Sequence, residues 1–417
     1  MTLLDDVSNG DLNAVKAFVE RKPRPDNFKA ELICPTCRTS VLSKAAEKGH
    51  TEIIQYLIGR NNLPSAIFEP DVLGDGPLKL AQDHGHKEAA RLLLWSKAGK
   101  TANKTGLTAQ CRTHVKNFVE KKAKLRSFFP GDSLEEMLKP VVQRATEAAW
   151  SVGDLGVTEE EAVGLSILTI YDVVILIDDS GSMEFQEEGR RIPALKLGLK
   201  AITTIHASLS HEEDAAPSAP ALKKSGIRRI QFMNKPIKGK ALNKIVNIDD
   251  PNAVDALIDK HSFGGGTPIG TALKETILDP FVFRRKTEFV KPLLIMVITD
   301  GEIDSGEKDT IIGNIEKSVK ALQDTHKVPQ DAQAIIFQFV LIGEDEEAAK
   351  MLKQLSRHKT VGRYISCSTT DWVTEDIIYM ADNNKRKLML ELMTSALEIK
   401  EQEDDDDDGD DDDDAGD

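Results

Sequence analysis

Three stretches within the first hundred residues repeat one another, and a chain built that way must bury its apolar faces between stacked neighbours rather than in one closed core. They are Asn9 to Val19, Ala45 to Ile58 and Leu80 to Leu94, and their glycines stand at 10, 49 and 85. In each stretch a glycine follows one short helical pattern, where a left-handed C-cap costs glycine least. A second helical pattern then carries apolar residues at spacings of three and four. The segments Asn13-Ala14-Val15-Lys16-Ala17-Phe18-Val19, Thr51-Glu52-Ile53-Ile54-Gln55-Tyr56-Leu57-Ile58 and Lys87-Glu88-Ala89-Ala90-Arg91-Leu92-Leu93-Leu94 are those second helices.

The pattern resembles ankyrin repeats. Val41-Leu42 and Pro77-Leu78 stand where that family's turn begins, and the glycine spacings of 39 and 36 exceed the usual ~33 residues, so extra residues lengthen the loops between repeats. The resemblance implies an all-α array over residues 1–96 that binds a protein partner, with His50 and His86 making structural hydrogen bonds. Cys34-Pro35-Thr36-Cys37 has the spacing of half a zinc site or of a redox pair, but the second pair that a structural zinc needs is missing, so the segment reads as an inter-repeat loop. Gly99-Lys100-Thr101 is not a phosphate loop: Leu94 stands where the first glycine is required. Residues 97–164 read as a helical connector, with helix-compatible stretches at Val115 to Phe128 and Leu134 to Trp150.

From Leu165 the texture changes. Apolar runs at Tyr171 to Ile177, Ile227 to Met233, Leu293 to Ile298, Ile335 to Ile342 and Tyr364 to Cys367 alternate with helical patterns at Ile192 to Ser208, Asn252 to Lys260, Thr271 to Leu278, Thr310 to Leu322, Glu346 to Leu355 and Lys385 to Ile399. Strands apolar along their whole length, separated by helices, predict a doubly wound, mainly parallel α/β sheet covered on both faces over residues 165–400. His211 to Ser225 reads as an exposed loop. The most apolar stretch, Ala162 to Ile177, contains Asp172 and is too short to cross a bilayer, so it is expected as a buried strand and no membrane span is expected.

Charge narrows the function. Residues 401–417 contribute thirteen negative charges to the net −15, so the rest of the chain carries a net −2, with no basic stripe to neutralise phosphates. Nucleic acid is therefore excluded as a direct partner. Acidic residues open the chain where an export signal would be basic, and four scattered cysteines make no disulfide framework. Both features predict a reducing compartment, cytoplasm or nucleus.

The run Val173 to Ile177 leads directly into Asp178-Asp179-Ser180-Gly181-Ser182, an Asp-x-Ser-x-Ser pattern at the carboxyl end of a strand, the edge where open α/β sheets bind ligands. Two distant segments have matching chemistry. Gly264-Gly265-Gly266-Thr267-Pro268 sets a hydroxyl in a glycine-rich loop before a helix, and Leu293 to Ile298 ends in Thr299-Asp300-Gly301. Together these segments resemble the von Willebrand factor A (vWA) fold with its metal-ion-dependent adhesion site, over about Ser166 to Asp382. The resemblance implies Ser180, Ser182 and Thr267 as hydroxyl ligands and Asp178 and Asp300 as carboxylates holding the metal partly through water. It also places the strands that end in Asp178 and Asp300 side by side, where strand order reverses.

An oxygen-only set of about five protein groups suits Mg²⁺ or Mn²⁺ better than Ca²⁺, which takes six to eight oxygens. With neutral oxygens innermost, the ion keeps enough charge to attract an Asp or Glu from a partner protein. The expected function is thus metal-dependent protein binding with the repeats as a second surface, and no catalytic residue is assigned. Two rivals are a scaffold using the repeats alone with a silent metal site, and a phosphatase-like hydrolase. The hydrolase suffers because Ser180 stands where its second Asp would act as acid.

The tail, Asp404 to Asp414, is expected to stay solvated and to attract basic partners in a salt-sensitive manner, because like charges at this density repel compaction. Deleting everything after Lys400 should leave the melting temperature unchanged in a thermal scan while abolishing retention on a basic peptide column at low salt.

Overall fold

The computed structural model describes residues 2–22, 28–60, 63–121, 125, 134–153, 158–208, 227–238, 250–283, 291–301, 303–326, 328 and 333–368. The expected loop at 211–225, the helix at 385–399 and the acidic tail lie outside them.

Among the described residues the regular elements of the amino-terminal part are helices: α1 (Leu3–Ser8), α2 (Leu12–Glu20), α3 (Phe28–Glu31), α4 (Val41–Lys48), α5 (Thr51–Ile58), α6 (Pro77–Asp83) and α7 (Lys87–Trp95). Local chemistry sets the ends. Thr2 and Asp5 form a reciprocal capping box, Asp11 caps α2, and Ser40 caps α4 through Ser43 N–H at 3.0 Å. Gly10, Gly49 and Gly85 all take φ of 71° to 74°, the left-handed conformation expected of them. The histidines act as expected too: His50 Nε2 lies 3.1 Å from the Ser8 carbonyl, and His86 Nε2 lies 3.0 Å from the Glu47 carbonyl, so each reaches one repeat back. Val7, Val15, Leu42, Ala45, Ile54, Leu57, Ala81 and Leu93 belong to one buried cluster running through the stack.

Three helices follow, the first two long: α8 (Lys97–Lys121), α9 (Leu134–Gly153) and α10 (Glu159–Leu165). Their stripes, including Leu107, Cys111, Val115 and Phe118 on α8 and Val141, Ala145, Ala148 and Ala149 on α9, join the same hydrophobic cluster as the sheet. Phe118 meets Tyr171 edge-on at 6.3 Å between ring centroids. The connector is therefore a packed layer of the carboxyl-terminal core, which its sequence pattern did not specify. The stretch from Ala162 departs from the expected single strand. Thr158 and Glu161 start α10 with a capping box, and Ser166–Ile170 forms a tight 3₁₀ turn held by Ser166 Oγ–H to Val163 O and Thr169 Oγ–H to Ser166 O; only then does the strand begin. Hydroxyls bonding to nearby carbonyls kept the apolar segment coiled.

The sheet contains β1 (Asp172–Ile177), β2 (Ile227–Phe232), β3 (Leu293–Thr299), β4 (Ile335–Leu341) and β5 (Ile365–Ser368), all parallel, in the order β2-β1-β3-β4-β5. Every residue of β1, β3 and β4 is buried, as a sheet covered on both faces requires. Helices α11 (Gly181–Phe185), α12 (Arg191–Ser208), α13 (Pro251–Asp259), α14 (Ile269–Ala272), α15 (Glu307–His326) and α16 (Glu346–Ser356) connect the strands. Beyond α14 the chain continues to Phe283 in wide π-type turns containing Pro280, whose missing N–H could not serve a regular helix. The chain passes from β1 to β2 on one side and later to β3 on the other, so the switch point lies between β1 and β3.

A Cβ added at Gly49 would lie 2.5 Å from His86 Nδ1, whereas one added at Gly85, which has nearly the same φ, meets nothing within 4 Å. Gly85→Ala should therefore cost only the left-handed backbone, ~1 kcal/mol. Gly49→Ala should cost about 2 kcal/mol or more because it also displaces the imidazole that joins two repeats. Urea denaturation of the two variants beside the parent protein measures the difference.

Candidate metal centre

The carboxyl ends of β1 and β3 bring the predicted residues together. In-register pairing of Ile177 with Ile298 sets the residues after each strand side by side, and Asp178 N–H donates to Ile298 O at 2.9 Å. Asp178, Asp300, Ser180 and Thr267 are all buried or nearly so. The Ser180 and Ser182 hydroxyls lie 2.9 Å apart, because Ser180 is the N-cap of α11 and Ser182 sits in its first turn. The Thr267 loop is tied to the Ser180 loop by Gly181 N–H to Gly265 O at 3.3 Å and by Gly264 N–H to Asp179 O at 2.7 Å. It is tied to the segment after β3 by Asp304 N–H to Thr267 O at 3.4 Å. Three loops from distant parts of the sequence thus converge on one point.

Electrostatics at that point are demanding. Asp178 accepts from Ser180 N–H at 2.9 Å and from the Thr299 hydroxyl at 2.7 Å, yet burial and the neighbouring Asp300 carboxylate push its pKa well above the ordinary carboxylate range. Thr299 Oγ in turn accepts from Gly301 N–H at 3.0 Å, which fixes the hydroxyl toward Asp178. Asp300 Oδ2 pairs with Arg191 Nη1 at 2.7 Å, and Arg191 Nη2 reaches Glu187 Oε1 at 2.8 Å, with Arg191 and Asp300 both buried. Burial works against the Glu187 charge, but Arg191 and the Glu344 N–H hold its pKa below the usual value.

Asp179 does different work. Its Oδ1 accepts from Asn234 N–H at 2.7 Å and its Oδ2 from Lys235 N–H at 3.1 Å, while His261 Nε2 lies 2.8 Å from Oδ2. Burial opposes its charge, but these partners, His261 first, hold its pKa below the ordinary range. The Asn234 amide also donates to Gly266 O at 2.8 Å, and His261 stacks on Phe232 with centroids 3.5 Å apart. Asp179 therefore binds the β1 loop to the end of β2 and to the glycine-rich loop.

All five predicted residues, Asp178, Ser180, Ser182, Thr267 and Asp300, thus lie on the three converging loops. Sequence reasoning missed the groups that hold them: Asp179, Thr299, Arg191, Asn234 and His261. Asp179 and Thr299 sit within the quoted motifs and could have been suspected there. Arg191, Asn234 and His261 carry no local signal. Among the described residues no group of three or more His, Cys, Asp and Glu side chains is arranged to hold a metal; this set has two carboxylates and three hydroxyls. All its donors are oxygens, which fits a hard divalent cation and not a soft one.

The family model for ankyrin repeats, in three copies, matches residues 3–105, which covers α1 to α7 and the start of α8. No curated protein matches the chain. The first hundred residues are thus ankyrin repeats, and repeats of this kind point to a role in protein–protein interaction. No helix among the described residues is long and apolar enough to cross a membrane.

Replacing Asp179 by Ala would remove the buried carboxylate that the N–H groups of Asn234 and Lys235 and the His261 imidazole share. A loss of about 2 kcal/mol in unfolding free energy is expected, since a hydrogen bond to a charged group contributes ~1.5–3 kcal/mol and the donors left behind are partly open to water. Asp179→Asn, which retains an acceptor oxygen, should lose about half as much in the same urea titration.

Proposed function

We propose that the carboxyl-terminal α/β part is a vWA-like domain that holds Mg²⁺ or Mn²⁺ at its sheet edge and uses the ion to capture a partner protein through an Asp or Glu side chain. The ankyrin repeats provide a second protein-binding surface. The supporting observation is the meeting of the Asp178-Ser180-Ser182, Thr267 and Asp300 loops at the switch point between β1 and β3. Ser180, Ser182 and Thr267 would hold the ion through hydroxyls. Asp178 and Asp300 would hold it partly through water.

The charge balance favours a recognition role. Two carboxylates buried side by side repel each other, and a divalent cation relieves both the repulsion and the cost of burial. Arg191 cancels part of the negative charge beside Asp300, so an ion placed there keeps a net attraction for one further carboxylate. Binding rather than catalysis also follows from Ser180, which gives the edge a hydroxyl where a phosphatase of the strand-Asp type would need an acid.

Millimolar Mg²⁺ should raise the melting temperature of the full-length protein by several degrees. A ligand at a hundred times its dissociation constant adds about 2.7 kcal/mol to the folded state. The Ser180→Ala/Ser182→Ala variant should not respond. Affinity capture with parent and double mutant, with and without chelator, should yield a partner that is retained only by the metal-loaded parent. Thr267→Ala should weaken that partner's binding more than it weakens the Mg²⁺ response, and changing the partner's contacting Asp or Glu to its amide should abolish it. Equal Mg²⁺ responses in parent and double mutant would refute the metal site. A partner that survives chelator, Thr267→Ala and the amide change would move recognition to the ankyrin repeats alone.

A further inference from the structure

The Cys34-Pro35-Thr36-Cys37 segment lies in the loop between the first two repeats, far in sequence from the sheet edge. Arg38 N–H donates to Cys34 O at 2.9 Å, closing a helical type of turn, and Cys34 N–H donates to Thr39 O at 2.9 Å, fixing the turn's base. The turn aims several donors at one sulfur. Cys37 N–H reaches Cys34 Sγ at 3.5 Å, the Thr36 hydroxyl lies 3.2 Å from it, and the Cys37 thiol also hydrogen-bonds to it. Both cysteines are free thiols and only half-buried.

From this geometry we infer that Cys34 and Cys37 form a reversible dithiol–disulfide site, in which Cys34 is the attacking thiolate and Cys37 the resolving thiol, with a small-molecule disulfide of the glutathione type as oxidant. A thiolate is the nucleophile in such exchange, and N–H and O–H donors stabilise the thiolate over the thiol. Hydrogen bonds from Cys37 and Thr36 bring the Cys34 pKa down to about 6, so at neutral pH the sulfur is mostly ionised. Cys111 is the opposite case: burial pushes it up to about 11.

The step balances. The Cys34 thiolate attacks one sulfur of the oxidant, breaking its S–S bond, forming a mixed disulfide and releasing one thiolate. The Cys37 thiolate then attacks Cys34 sulfur, forming the Cys34–Cys37 bond and releasing the second. The two protein thiols lose two electrons and two protons, and the oxidant gains both as two small thiols. Residues three apart in a turn stand ~5–6 Å apart at Cβ, so closing the bond requires only a small contraction of the loop.

A zinc role for the pair is the weaker reading, because among the described residues no third or fourth His, Cys, Asp or Glu joins the two sulfurs. The turn also touches the repeat surface: Val72 N–H donates to Cys37 O at 3.2 Å, next to Leu73, whose side chain is largely exposed. Oxidation would therefore act beside a loop open to partners.

The test uses the full-length protein in buffers of graded reduced-to-oxidised glutathione ratio, with remaining thiols trapped by N-ethylmaleimide and mapped by peptide mass. Formation of a Cys34–Cys37 disulfide that reverses with excess reduced glutathione, while Cys111 stays reduced, is the expected result. Cys37→Ser should accumulate the glutathione adduct on Cys34, whereas Cys34→Ser should form little adduct on Cys37. The alkylation rate of Cys34 should rise with pH to a plateau with its midpoint near 6, two or more pH units below an ordinary thiol. Symmetrical adducts in the two serine variants, or no disulfide in a large excess of oxidised glutathione, would overturn the inference. So would stoichiometric Zn²⁺ bound by the reduced protein and lost in both variants.

Discussion

A carboxylate taken out of water has to be met by donors or by a cation, and the carboxyl end of this sheet takes three out at once. Asp178, Asp179 and Asp300 are fully buried within a few residues of one another across β1 and β3. Much of the local architecture answers that requirement. Asp179 is met by backbone N–H groups of Asn234 and Lys235 and by His261, which fastens three loops together. Asp300 is met by Arg191 from the start of α12, and Asp178 by Thr299 and Ser180. The first two are well compensated; Asp178, beside Asp300, is the one whose charge the protein's own groups leave under strain. That imbalance, more than any single distance, motivates the proposal of a divalent ion.

The same edge depends on a sheet that cannot slip. Strands buried on both faces need cover on both, and α8 to α10 supply part of it from outside the alternating strand and helix pattern. Their packing joins the segment after the ankyrin repeats to the sheet core, so the repeats are followed directly by helices that the α/β part requires. The two halves also touch through a polar contact: Glu159 at the start of α10 accepts from Gln82 on α6. The chain combines a repeat surface of a kind that binds protein partners with a sheet edge of different physics. The repeats offer loops and helix faces held by glycine and histidine, and the sheet edge offers concentrated charge.

Much of this architecture was written locally. The repeat glycines at 10, 49 and 85 fixed where helices end, because a left-handed C-cap is a property of one residue and its neighbours. The five apolar runs fixed the strands, because a strand covered on both faces must be apolar throughout, and the Asp-x-Ser-x-Ser, Gly-rich and Thr-Asp-Gly segments supplied the residues that meet at the sheet edge. These are statements about residue type at short range, and sequence carries them without ambiguity.

Tertiary structure decided what depends on distant partners. The coil at residues 162–170 is a local exception, set by hydroxyls bonding to carbonyls three residues back and by the start of α10 at Thr158, against an apolar content that would suit a strand. That α8 and α9 cover the sheet follows from complementary faces, which neither helix reveals alone. Arg191, Asn234 and His261 came to hold the sheet-edge loops only because folding placed them against Asp300 and Asp179, more than fifty residues away in the chain. The sequence by itself determined which residues face one another along each strand and helix and which could ligate an ion. Only the folded chain decided which buried charges would be neutralised and by whom, because the energy of a buried charge depends on everything packed within a few ångströms of it and on nothing that adjacency in sequence can encode.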